Sequence, residues 1–219
     1  KGGSPVSREK RGYVIEKARE MNRCGINQGT SGNLSFRHED GMLITPSGMP
    51  YDSLVPDDIV FVDGDGSHCG PRLPSSEWRI HHDIYRARGD AMAILHAHPV
   101  HCAAMACLGE AIPAFHYMVA VAGGRDIRCA PYATFGTQAL SDHVLEALTG
   151  RKACLMANHG LVCLAENLEK ALGLAIEVEQ LARTWLQCRS VGEPVILDDE
   201  EMDRVLEKFS AYGVQDSKP

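Results

Sequence analysis

The chain has 219 residues, 44% of them hydrophobic, a formal net charge of −7 and 22 Lys and Arg dispersed along its length. That size and apolar content suffice for one core, so a single domain over residues 1–219 is expected, with residues 1–6 set aside as a tail or expression remnant. Scattered positive charge argues against a nucleic-acid partner, and no run of 18 apolar residues is present to cross a membrane, so a cytoplasmic location is expected.

Apolar Val14, Ile15, Ala18 and Met21 recur at helical spacing before Gly25, which predicts a first helix over Ser7 to Arg23. Leu34 to Arg37 and Met42 to Thr45 read as a hairpin, and Ile59 to Asp63 as a further strand. A helix is expected to start near Pro74-Ser75-Ser76-Glu77, with serine as N-cap and Glu77 in the first turn, and to run to about Arg88. Strand Met92 to His98 then leads through Pro99, taken as the first helical residue, into a small-residue helix ending at Leu108.

The remaining pattern predicts a helix over Thr137 to Leu148, paired strands at Ala153 to Ala157 and Leu161 to Leu164, and helices over Asn167 to Cys188 and Asp198 to Phe209. Hairpins and helical crossovers occur together without repeating βαβ units. The fold class expected is therefore α/β, a single domain with a mostly antiparallel central sheet between helical layers, and not a TIM barrel. The eight cysteines, at 24, 69, 102, 107, 129, 154, 163 and 188, form no Cys-x-x-Cys pair and read as reduced, buried thiols.

Chemistry concentrates in Ile94-Leu95-His96-Ala97-His98-Pro99. Side chains alternate along a strand, so His96 and His98 share a face about 6 to 7 Å apart, close enough to grip one divalent cation. A histidine in a strand is equally well a hydrogen-bonded core residue. A third imidazole at Asn158-His159-Gly160, in a tight turn after an apolar run, tips the balance toward a three-histidine zinc site with an open coordination position. Of the other histidines, His81 and His82 fall on a helix, while His101 and His116 flank the metal region as candidate partners of the ligands.

Glu77 is the carboxylate placed beside this metal, although a Glu at a helix start is equally a capping residue. The same helix start, with Ser75 and Ser76, can hold a phosphate through amides and hydroxyls. Thr30-Ser31-Gly32-Asn33 and Thr45-Pro46-Ser47-Gly48 bring further hydroxyls and glycines that permit close backbone approach. Each alone is an ordinary turn. Together they form an anion cradle that needs no lysine, which suits an acidic chain with a phosphorylated substrate.

These segments, in this order, resemble the class II aldolase and adducin-head family, most of all its fuculose-phosphate-cleaving branch. Ile112 to Met118, Cys129 to Thr137 and Asn167 to Leu172 are similar to it as well, so the resemblance spans about residues 11–213. It implies a lyase of fucose degradation with one zinc per subunit, held by His96, His98 and His159, with Glu77 binding the ion at rest and acting as acid or base. It implies a phosphate cradle of Thr30, Asn33, Ser47, Gly48, Ser75 and Ser76, with Ser47 standing where the family often has threonine.

The resemblance further implies that Tyr117 reaches into a neighbouring subunit's site to exchange a proton with the aldehyde oxygen. Phe135 and the C-terminal Tyr212 would line the aldehyde end, in a homotetramer with sites between subunits. The implied reaction is reversible retro-aldol cleavage of a ketose 1-phosphate, with L-fuculose 1-phosphate giving dihydroxyacetone phosphate and L-lactaldehyde as the favoured case. Competing expectations are a sugar-phosphate 4-epimerase, a decarboxylase or dehydratase of a related sugar acid or sugar phosphate, and an adducin-like interaction module. A module would have no use for three imidazoles, a carboxylate and an anion cradle.

Overall fold

A computed structural model describes residues 5–212. Its centre is a seven-stranded sheet in the order β3 (Val60–Val62), β2 (Gly41–Ile44), β1 (Asn33–His38), β4 (Ala93–Ala97), β7 (Gly160–Ala165), β6 (Ala153–Met156) and β5 (Cys129–Ala130). Every neighbouring pair is antiparallel except β5 and β6.

Antiparallel sheets often leave one face wet, but here both are covered, and β4 and β6 are buried throughout. One face carries Leu34, Leu43, Leu95, Ala97, Leu155, Leu161 and Cys163 into a core shared with helices α1 (Pro5–Arg23), α3 (Val100–Leu108), α5 (Leu168–Val191) and α6 (Asp199–Ala211). The other carries Met42, Ile44, Ile94, Val162 and Leu164 against α2 (Trp78–Ala87) and α4 (Gln138–Ala147). The predicted α/β sandwich of helical layers about a mostly antiparallel sheet is thus the fold observed.

Helix starts obey capping chemistry. Thr137, Asn167 and Asp198 each accept a backbone N–H three residues on, so these residues precede α4, α5 and α6 rather than belonging to them. Pro99 also stands one place outside its helix, as the N-cap of α3 with extended backbone, not as its first residue. The anion for that helix start comes from elsewhere: the Glu179 carboxylate of α5 accepts the N–H groups of His101 and Cys102, at 2.7 and 3.0 Å.

The predicted elements shift at their ends, and α1 begins at Pro5, ahead of the expected Ser7; residues 1–4 of the expected tail lie outside the described residues. Four pieces among the described residues carried no signal: β5, too short for alternation to show, and 3₁₀ helices over Tyr51–Ser53, Pro56–Asp58 and Tyr117–Ala122. The cysteines are free, but only Cys102, Cys154 and Cys163 are buried. Cys24, Cys69 and Cys107 are exposed, contrary to that reading. No helix among the described residues is long and apolar enough to cross a membrane.

Candidate active site

Register decides what gathers at the end of β4. His96 pairs with Asn33 of β1 on one side and Val162 of β7 on the other, so His96 and Asn33 project from the same face of the sheet. His98 lies just past the strand, and His159 stands in the turn between β6 and β7. That turn is pinned by Asn158 N–H to the Ala106 carbonyl and His159 N–H to the Met156 carbonyl.

Asn158 adopts a left-handed φ of 56°, which Asn tolerates better than most residues. Gly160 is required sterically, because a Cβ there would sit 2.5 Å from the Ala97 carbonyl oxygen and 2.8 Å from the His98 ring.

The three imidazoles converge. Their ring centroids are 4.8 to 4.9 Å apart pairwise, and one nitrogen of each lies within 4.8 Å of the others. Glu77 closes the group, its Oε2 at 2.9 Å from His96 Nε2 and its Oε1 at 3.0 Å from His159 Nε2. Glu77 is the residue before α2 and makes no side-chain cap, contrary to the first-turn placement expected. Its own N–H instead donates to Ser75 Oγ, and the carboxylate turns inward.

The donor set fits a divalent cation. His96 Nδ1 lies 2.9 Å from the Leu161 carbonyl, which can only accept, so Nδ1 carries the proton and the neutral ring's Nε2 lone pair faces His98 Nε2 and the Glu77 carboxylate. Lone pairs and carboxylate oxygens facing one another repel unless a positive charge lies among them. Glu77 Oε1 is moreover buried without an aligned hydrogen-bond donor.

Where no cation binds, a proton shared among these groups takes its place. Burial alone would raise the Glu77 pKa, but the charges and hydrogen bonds of His96 and His159 outweigh it and hold the carboxyl well below the usual range. For His96 burial works against protonation, and the Glu77 charge, its hydrogen bond and the Leu161 carbonyl overcome it, so the ring is raised above its ordinary value. His98 is pushed down to about 4 by burial, then by the charges of His96 and His159, and stays a neutral nitrogen donor.

The centre opens into a cleft of about 300 Å³ lined by Ser31, Ser76, Glu77, His98, Tyr132, Ala133, Phe135, Asn158 and His159. Of the expected cradle, Ser76 lines the cleft directly, Thr30, Ser47 and Gly48 are exposed, and Ser75 is buried against Glu77. Backbone bonds tie these loops together, Ser75 N–H to the Thr45 carbonyl and Ser47 N–H to the Leu73 carbonyl. Asn33 faces inward instead, its amide nitrogen donating to Glu77 Oε2 at 3.1 Å.

Tyr117 lies away from this cleft. It is half-exposed and stacked between His116 and Phe209, and Tyr212 tilts onto the same Phe209. Neither His101, paired with Glu179, nor His116 is hydrogen-bonded to the three converging imidazoles. The histidine behind the site is His81, which sequence reasoning left as an ordinary helical residue. Its signal was present in Tyr85 one turn on, which places two polar side chains on the buried face of α2.

The profile of the class II aldolase and adducin N-terminal domain family matches residues 13–186. The 5-methylthioribulose-1-phosphate/5-deoxyribulose-1-phosphate aldolase of Rhodospirillum rubrum is 54% identical over 200 residues, covering 91% of this chain and 90% of that protein. The L-fuculose phosphate aldolase of Escherichia coli K12 is 55% identical over 203 residues, covering 92% and 94%. A solved L-fuculose 1-phosphate aldolase, 41% identical, superposes with a TM-score of 0.89 over 95% of this chain and 98% of its own.

Proposed function

The chain belongs to the class II aldolase and adducin N-terminal domain family and is an aldolase-type lyase, and from that premise we propose that it cleaves L-fuculose 1-phosphate reversibly into dihydroxyacetone phosphate and L-lactaldehyde with zinc as its cation. The observation that carries this reading is Glu77, a buried carboxylate held by two of three converging imidazoles at the wall of a cleft edged with hydroxyls.

His96, His98 and His159 would hold the cation, which supplies Lewis-acid stabilisation of the negative charge that develops on the ketose oxygens as C3–C4 breaks. The rest is work for side chains. Thr30, Ser47, Gly48, Ser75 and Ser76, with Asn33 at the border with Glu77, position the substrate's phosphate, so the reacting carbon is fixed by binding at a distance. Beside the three imidazoles the Glu77 carboxylate is held ionised, and substrate taking its place there frees it to act as a base. In condensation Glu77 then takes a proton from the hydroxymethyl carbon of dihydroxyacetone phosphate, and in cleavage it returns that proton to C3.

The substrate's C4 hydroxyl loses its proton as the aldehyde forms. Tyr117 is the group assigned to receive it, acting in the site of a neighbouring copy within a homotetramer. Its half-exposed position outside its own cleft, in a column with Phe209 and Tyr212, supports that assignment. Phe135, exposed at the cleft, and Tyr212 would cover the aldehyde's methyl end.

A second substrate class has support from the Rhodospirillum rubrum relative, which is as similar as the fuculose phosphate enzyme. Cleavage of 5-deoxyribulose 1-phosphate between C3 and C4 yields the same triose phosphate, with acetaldehyde in place of lactaldehyde. A panel of fuculose, rhamnulose, 5-deoxyribulose and 5-methylthioribulose 1-phosphates with ribulose 5-phosphate, scored by kcat/KM for triose phosphate release, decides. The highest value is expected with L-fuculose 1-phosphate. A higher value with either pentulose 1-phosphate would move the assignment to it, and interconversion of ribulose 5-phosphate without release would replace cleavage by epimerisation.

A further inference from the structure

Behind Glu77 runs a line of buried polar groups of which the proposed chemistry uses only Asn33. Glu77 Oε2 accepts from Asn33 Nδ2 at 3.1 Å, Asn33 Oδ1 lies 2.5 Å from His81 Nε2, His81 Nδ1 lies 2.6 Å from Ser35 Oγ, and Ser35 Oγ lies 2.8 Å from the Tyr85 hydroxyl. Ser35 and His81 are wholly buried, and Asn33 and Tyr85 nearly so. The line crosses from β1 to α2, and the Arg37 guanidinium seals its far end over the Tyr85 ring, 4.9 Å from the centroid.

Its direction follows from donor and acceptor inventory. A carboxylate only accepts, so the amide nitrogen of Asn33 must face Glu77 and its oxygen must face His81. That oxygen requires a proton on His81 Nε2. In a neutral ring Nδ1 is then an acceptor and takes the Ser35 hydroxyl proton, which leaves Ser35 Oγ to accept from Tyr85. With Tyr85 donating at the far end, every hydrogen bond of the line is satisfied while the His81 ring is neutral.

The geometry assigns His81 as a positioning residue for Glu77: as the Nε2–H tautomer it locks the Asn33 amide with its N–H toward the carboxylate. With the amide reversed, its oxygen would face Glu77 Oε2 at about hydrogen-bond distance with no proton between them, and His81 Nε2–H would lose its acceptor. Asn33 is the one member of the line hydrogen-bonded to Glu77, so the aiming effect passes through its amide. This assignment rests on Glu77 as the acid–base group, and it names what aims that group.

Two measurements test it on the metal-loaded protein. Nitrogen-15 NMR of the His81 ring, identified by the signals missing from His81→Gln, should show Nε2 protonated and Nδ1 unprotonated at pH 7. The opposite tautomer, or an imidazolium, overturns the assignment. Kinetically, His81→Phe should keep stoichiometric metal and a KM within about twofold while kcat falls about tenfold to a hundredfold. His81→Gln, whose amide can donate to Asn33, should recover part of that loss.

A metal-replete His81→Phe with wild-type kcat overturns the assignment. If that variant does not fold, Ser35→Ala carries the same test, with a several-fold loss of kcat at unchanged KM expected and no loss overturning. The tautomer is read without substrate, so a wild-type protein that cleaves no sugar phosphate fails the aldolase reading separately from this one.

Discussion

The Nε2 atoms of His96 and His98 stand 3.1 Å apart, although His96 lies within β4 and His98 just beyond its last residue. Two imidazole nitrogens bound tetrahedrally to one cation at about 2.1 Å are roughly 3.4 Å apart, so the protein holds them close to ligand spacing. His96→Ala removes the proposed ligand whose other nitrogen is anchored on Leu161. Metal content by elemental analysis should drop together with activity, the latter at least about a hundredfold. Full metal content in His96→Ala would exclude this nitrogen from the site.

Glu77→Gln separates metal binding from proton transfer. The variant keeps its shape and all three imidazoles, so most of the metal should remain while kcat falls about a hundredfold to ten-thousandfold. Turnover at the wild-type rate would remove Glu77 from the mechanism.

Gly160→Ala probes packing directly beneath the converging imidazoles. The added Cβ would press on the Ala97 carbonyl and the His98 ring, both part of the ligand framework. Overpacking of this kind costs about 1–3 kcal/mol, to be read as a lower midpoint in denaturant, with weaker metal retention on dialysis. Unchanged stability and metal affinity would show that the β4–β7 contact yields easily.

Stability should fall in acid, and His81 should account for part of the slope. Burial, then the His96 charge, pushes its pKa down to about 3, against about 6.5 for an unfolded histidine. Between those values the unfolded chain takes up a proton that the folded chain refuses. The contribution is therefore full above pH 6.5 and is lost progressively as pH falls toward 3. His98, down to about 4, acts in the same direction. Tm of metal-free protein should decline from pH 7 to pH 4, less steeply in His81→Gln, and an identical slope in both would contradict a neutral His81.

Much of this was legible in the sequence because the signals are local. His96 and His98 follow an apolar strand pattern, Asn158-His159-Gly160 marks a turn, and α1, α4, α5 and α6 announce themselves by periodicity and capping residues. Glu77 does lie beside the histidines, but just before α2 and not in its first turn, two positions that look alike in sequence. The union of Asn33 with Glu77 and His81 was not legible. It depends on the pairing of β1 with β4 and on which face of α2 meets the sheet, both set by contacts between distant segments. The same holds for β5, whose two residues become a strand only against β6.

The most direct test of the central claim is release of dihydroxyacetone phosphate from L-fuculose 1-phosphate by protein stripped with a chelator and then titrated with zinc. Release should vanish on stripping and return in proportion to bound metal, saturating at one ion per chain. An undiminished rate in the stripped protein, or no recovery on reloading, would contradict it.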